Sequence, residues 1–231
     1  MVNYNSITHT DQHRAEMSLP EKKPNVKDLL NSEQYKKVAE LDHNNLAPFV
    51  MENLQKRNIF TLLFKVSVIS VSATVLAQII IRWDGGTSFL GLLAGIAFTF
   101  SAGVLIHELL HLLAYLLMGA TKLSIIPKWS QGVVAATADH FVLGKKGFYF
   151  LAMTPFFILT AAAIYGLFIS YGFVFYMLIS FLFFHTVSCI GDFGMASYFY
   201  ENRHKTLFTY DDMKQDKSFF FEFVDEKIIA S

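Results

Sequence analysis

The sequence predicts an α-helical membrane protein of about four transmembrane helices, with a small β-hairpin on the cytosolic side between spans two and three. Three observations predict it. The chain is 53% hydrophobic, with 24 phenylalanines among 231 residues, which is too apolar for an ordinary water-soluble domain. Four apolar runs each reach the roughly 20 residues needed to cross a hydrocarbon core. Basic residues gather at one set of connections and are nearly missing from the other, the pattern that sets orientation in a bilayer.

Residues 1–57 read as a polar cytosolic segment, and the first two dozen hold too few apolar side chains to offset the entropy of ordering. This opening lacks the pattern of a cleavable signal, so insertion is expected to rely on internal segments. The stretch "NSEQYKKVAELDHNNLAPFVMENLQKRN" predicts a short amphipathic helix, with Asn31 or Ser32 as N-cap and Pro48 near its end.

The spans are expected at Ile59–Ile81, Phe89–Met118, Phe148–Ser170 and Phe173–Tyr198, making 58–200 the membrane-embedded domain and 201–231 a cytosolic tail. The second run is longer than a crossing requires, so it tilts or projects into the interface. Lys56 and Arg57 precede the first span. Lys122, Lys128, Lys145 and Lys146 lie between the second and third, and Arg203, His204 and Lys205 follow the fourth. The opposite loops carry only Arg82. Both termini are therefore expected in the cytosol, with the chain multi-pass in a plasma membrane of bacterial type.

In the connection 121–147, "KLSIIP" and "GVVAATA" have strand composition around a "WSQG" turn, which predicts the hairpin. The tail segment "SFFFEFVDE" is strand-like as well. Pairing with that hairpin and lying on the membrane surface are both open to it. Nineteen basic residues balance nineteen acidic ones, so the lipid bilayer is an expected partner and nucleic acid is not. The one cysteine, Cys189, excludes an internal disulfide.

Inside span two, His107, Glu108 and His111 form H-E-x-x-H. Histidines at i and i+4 stack on one helix face, so both imidazoles can reach one ion. Glu108 points to the side, where it meets the attacking water rather than the ion, the arrangement that zinc-assisted hydrolysis needs. Each ionisable group at bilayer depth costs on the order of 2–3 kcal/mol. Three within five residues point to function rather than to tolerated packing.

A catalytic zinc site needs a third protein ligand and an open position. His185, Cys189 and Asp192 share one face of span four at i, i+4 and i+7. Asp192 lies at the depth of the two motif histidines, whereas His185 is about 10 Å deeper at 1.5 Å per residue. Gly191 and Gly194 flank the aspartate and permit close helix approach or local unwinding. Depth favours Asp192. His185 is the alternative ligand, and otherwise faces substrate, supports the ligands from behind or fills the core. Cys189 reads as small-residue packing. His140 and Asp139 either approach the metal from the cytosolic side or belong to a surface loop. Pro155 interrupts the third span's hydrogen-bond ladder, so that freed backbone groups shape a substrate cleft or the kink is simply tolerated.

The H-E-x-x-H in a span, the Thr154-Pro155 pair and the "SCIGD" of Ser188–Asp192 together resemble the DUF3267 family of zincin peptidases, over residues 95–200. More distantly they resemble the site-2 protease superfamily of intramembrane zinc metalloproteases. The resemblance implies one Zn²⁺ held by His107, His111 and Asp192, with Glu108 as general base and a peptide or membrane-protein substrate. The chain departs from the site-2 pattern in two places. It carries Gly191-Asp192-Phe193-Gly194 with no Asn-Pro nearby, and His185 stands where an asparagine is expected.

The function expected is thus that of a membrane-embedded zinc-dependent peptidase, a metalloendopeptidase of site-2 protease type. The alternative is a non-proteolytic zinc-binding membrane scaffold or regulator. An open fourth metal position favours the first, and closure by His185 or Cys189 favours the second.

Overall fold

The computed structural model describes residues 20, 22–128 and 133–224. The disorder expected of the first residues and the "WSQG" turn fall largely or wholly outside them.

The polar lead-in folds differently from the single helix expected of it. Helix α1 (Val26–Asn31) begins at a capping box, in which Asn25 accepts the Asp28 N–H and the Asp28 carboxylate accepts the Asn25 N–H. Asn31 and Ser32 therefore close a helix instead of opening one. The next residues form strand β1 (Tyr35–Asp42), and only then does α2 (Leu46–Leu54) follow. Pro48 sits in the first turn of α2, where a missing N–H leaves no bond unmade, so it starts the helix that it was expected to end. The strand pairs with residues 217–223, near the other end of the chain, and such pairing overrides local preference.

Four helical runs are long and apolar enough to cross a membrane: Ile59–Arg82, Gly86–Leu117, Lys145–Ile169 and Gly172–Glu201. The first is α3 (Ile59–Arg82), capped by Asn58, whose side chain accepts from the Phe60 and Thr61 N–H groups. The second consists of α4 (Gly86–Phe98), a π-helical turn (Thr99–Gly103) and α5 (Val104–Leu117). Between spans two and three lie β2 (Leu123–Lys128), β3 (Val133–Ala138) and β4 (Leu143–Gly144). The third run is α6 (Lys145–Ile169), with Pro155 inside it. The fourth bends at Cys189 between α7 (Gly172–Ser188) and α8 (Ile190–Glu201). A Cβ added at Gly91 would lie 2.6 Å from the Phe173 carbonyl oxygen, and Gly95 is equally tight against α7. The two glycines let α4 and α7 approach backbone to backbone.

The hairpin forms as expected, with β2 and β3 antiparallel in a register from Leu123–Ala138 to Lys128–Val133. The tail forms β5 (Thr206–Asp212) and β6 (Lys217–Phe223), and β6 takes neither course left open for it. It pairs with β5 on one side and β1 on the other, in an antiparallel sheet of order β1-β6-β5-β4. Phe219, Phe220 and Phe221 are all buried: Phe220 packs into the core shared with α6 and α8, and Phe219 and Phe221 into a second cluster with Leu29, Val142 and Phe208, so both faces of the strand are covered. Segments from before the first apolar run, between the second and third, and after the fourth thus meet in one sheet. Below it, Phe148 stacks on Phe199 at 4.2 Å and Phe199 meets Phe220 at 5.9 Å. These contacts join the sheet to α6 and α8 in one core.

Candidate metal centre

Helix α5 carries His107, Glu108 and His111 directly after the π-turn. Around that turn, Thr99 Oγ1 donates to the Gly95 carbonyl at 2.7 Å and Ser101 Oγ to that of Ala97 at 2.6 Å. Such back-bonding loosens the helical ladder, and π-turns concentrate at functional sites. Sequence reasoning missed this feature, although the small and hydroxylated run "TFSAG" before the motif marks its position.

Opposite α5, the bend at Cys189 turns the chain into α8 and places Asp192 in the first helical turn, where the helix dipole favours negative charge. The structure brings this aspartate to the two motif histidines. His107 Nε2 and His111 Nε2 stand 3.1 Å apart, Asp192 Oδ2 is 3.2 Å from the first and Asp192 Oδ1 3.3 Å from the second. Donors bound to zinc at 2.0–2.1 Å in a tetrahedron stand about 3.3 Å from one another, so these separations fit the ion. The protonation pattern fits too. His111 Nδ1 lies 3.1 Å from the Leu151 carbonyl oxygen. That oxygen can only accept, so Nδ1 carries the hydrogen and the neutral ring keeps its lone pair on Nε2. Two imidazole nitrogens and a carboxylate turned inward at this range form a donor set for a cation.

Glu108 stands outside that trio. Its Oε2 accepts the backbone N–H of Ala136 at 2.6 Å, and its side chain is buried against β3. Ala136 is in register with Ile125 of β2, yet its N–H points away from β2. Among the described residues, the edge of β3 away from β2 has no strand partner, and it runs beside the carboxylate. A cavity of about 890 Å³ opens over all four residues. Its walls include Phe100, Val104, Phe148, Phe181 and Val134, and α2 contributes Leu46 and Val50.

His185 is almost fully buried and comes closer to the trio than its depth suggests. Its ring centroid is 5.7 Å from that of His107, and the ring lies parallel to Phe181 at 5.5 Å. The depth argument treated the two motif histidines as one point, although His107 lies one turn before His111 on its helix, about 6 Å away at 1.5 Å per residue, and is the one that His185 approaches. Cys189 Sγ is 3.8 Å from His185 Nε2, so His107, His185 and Cys189 form a second potential donor group. Pro155 is buried within α6, one turn after Leu151.

His140 does not join the centre. Its Nδ1 is 2.8 Å from Asp139 and its Nε2 3.7 Å from Asp212, at the end of β5. Burial pushes the Asp212 carboxyl up, but hydrogen bonds from Gln215 and Lys214 and the nearby His140 outweigh it and hold the group below its usual range.

No curated protein and no solved structure matches the chain. Residues 100–207, which hold the H-E-x-x-H motif, the hairpin, Pro155, His185 and Asp192, match the family model DUF3267, described as "Putative zincin peptidase".

Proposed function

We propose that the chain is a membrane-embedded zinc metallopeptidase that hydrolyses peptide bonds in or near the bilayer. The observation that carries this reading is the inward-facing trio of His107, His111 and Asp192 at 3.1–3.3 Å, with the Glu108 carboxylate beside it and a cavity above. The zincin description of the matching family supports zinc as the metal. His107, His111 and Asp192 would hold one ion, leaving a place for one further ligand from the cavity. Bound there, the ion would polarise the scissile carbonyl and make water a stronger acid.

Glu108 is the general base. Its carboxylate takes a proton from the attacking water, whose oxygen bonds to the carbonyl carbon. As the C–N bond breaks, the same carboxyl returns the proton to the leaving nitrogen. The substrate is a peptide or membrane-protein segment in extended form, held against the free edge of β3. The apolar cavity walls suit apolar side chains on it. The lysine distribution and the sheet shared by both terminal segments support a multi-pass arrangement with both termini cytosolic, in a plasma membrane of bacterial type.

Purified full-length protein and its Glu108→Gln variant, assayed for zinc content and for cleavage of a quenched-fluorescence peptide library, test this. The variant should keep its zinc and lose cleavage by about 10²–10⁴-fold. Undiminished cleavage by Glu108→Gln would overturn the assignment.

A further inference from the structure

A proline inside a helix withholds the N–H that residue i−4 would otherwise receive, and its ring presses on that carbonyl. In α6 the residue four before Pro155 is Leu151. The Leu151 carbonyl therefore lacks its usual donor within the helix, and it is the one that His111 Nδ1 reaches at 3.1 Å. The site is buried, with Leu151 at 6%, Pro155 below 2% and His111 at 8% exposure, so water does not readily take the place of either partner. Were residue 155 to carry an N–H, that hydrogen would compete with the imidazole for the same oxygen. The ring of His111 would then be free to turn or to exchange its tautomer, and either change moves the Nε2 lone pair away from His107 and Asp192.

We propose that Pro155 is a positioning residue for the metal centre: by withholding the N–H that the Leu151 carbonyl would receive four residues on, it reserves that oxygen for His111 Nδ1 and so fixes His111 Nε2 as a metal donor. This rests on the reading of His107, His111 and Asp192 as the zinc ligands. Outer partners that orient a ligating histidine are worth about 10–100-fold in metal affinity, which sets the scale of the effect.

The test is the zinc affinity of full-length protein in detergent, measured by competition with a chromogenic chelator. Pro155→Ala restores the N–H and should weaken zinc binding about 10–100-fold. Lactic acid at position 155, the ester analogue of alanine, lacks both the ring and the N–H, and should return affinity close to that of the parent. Lactic acid in place of Ala152 turns the Leu151 carbonyl into an ester, a poorer acceptor, and should weaken binding with Pro155 still present. Parent-like affinity for Pro155→Ala overturns the proposal. So does an ester at 155 that binds as weakly as alanine, because the ring rather than the missing N–H would then be what matters. If Pro155→Ala does not fold, the ester at 152 decides, and unchanged affinity there overturns the proposal. Zinc binding by His111→Ala as tight as the parent's would instead remove the ligand assignment underneath it.

Discussion

The backbone N–H of Ala136 donates to Glu108 Oε2 at 2.6 Å, which docks the free edge of a β-strand directly on the proposed catalytic base. Here the donor faces away from β2, so the edge at Val134 and Ala136 is the place where an extended substrate would add as a third strand. Such a substrate would arrive with its own peptide groups beside the carboxylate. The bond to Ala136 meanwhile holds the Glu108 carboxylate beside that edge.

Removing this one donor tests the edge. Ala136→Pro deletes an N–H that takes no part in the β2–β3 ladder, and proline is tolerated at the unpaired side of an edge strand. The hairpin should fold and zinc content should stay at the parent value. A lost hydrogen bond of about 1.4 kcal/mol corresponds to about a tenfold fall in kcat/KM. Peptide cleavage by the variant at the parent rate would argue against strand addition at this edge.

The centre itself was legible in the sequence because its pieces obey short-range rules. Spacing put His107 and His111 on one helix face, and counting turns from the basic ends of two parallel spans put Asp192 beside them. What was not legible depended on partners remote in sequence. Residues 35–42 read as part of a helix until β6 supplied a strand to pair with, and the strand-like Phe219–Phe221 stayed open between the hairpin and the membrane surface because its actual partners, β1 and β5, are remote or unremarkable in sequence. His185 was placed too far away because helix depth was measured to the pair of histidines as one point, although they occupy successive turns. The bond from His111 to Leu151 could not be read from α5 at all, since half of it lies on α6.

Asp192 and His185 should separate cleanly by metal analysis. Asp192→Ala removes a donor that faces both Nε2 atoms at 3.2–3.3 Å and should lower zinc affinity by more than the roughly 100-fold upper range of an outer partner. His185→Ala leaves all three proposed ligands in place, so its zinc affinity should fall by at most about tenfold. Chelation by 1,10-phenanthroline should abolish cleavage by the parent, and added zinc should restore it. A His185→Ala protein without zinc, beside an Asp192→Ala protein that keeps it, would move the ion to the His107–His185–Cys189 group.

The two glycines around Asp192 differ in what surrounds them. A Cβ on Gly194 would stand 2.8 Å from Val50 Cγ1 and 3.1 Å from the Val50 Cα and carbonyl oxygen, whereas one on Gly191 meets nothing within 4 Å. Gly194→Ala must push α2 off α8, at about 1–3 kcal/mol for overpacking. Gly191→Ala adds a methyl at the cavity lining and gains about 1 kcal/mol of helix propensity where the helix is regular. Thermal unfolding in detergent should therefore drop for Gly194→Ala and hold or rise for Gly191→Ala. Equal midpoints for the two variants would show that α2 is not packed against Gly194 in solution.

Asp211 ties the helix that carries His107 and His111 to the sheet. Its carboxylate accepts Ser218 Oγ at 2.6 Å, Thr137 Oγ1 at 3.1 Å and the hydroxyl of Tyr115. Tyr115 lies one turn beyond His111 on α5, Thr137 follows Ala136 on β3, and Ser218 is on β6. One side chain thus gathers donors from span two, the hairpin and the tail. Tyr115, Thr137 and Ser218 are each 4–6% exposed, so water cannot readily replace the lost acceptor. A buried donor left without a partner costs about 1–3 kcal/mol. With partial re-pairing among the three hydroxyls, Asp211→Ala should cost about 2–4 kcal/mol in all. For a chain of this size that corresponds to a fall of about 5–10 °C in unfolding temperature. Asp211→Asn keeps one acceptor oxygen and should lose less than half as much. The order parent, Asn, Ala in thermal midpoints carries the argument. An alanine variant that melts with the parent would mean that these hydroxyls find other acceptors and that the three segments are held together by packing alone.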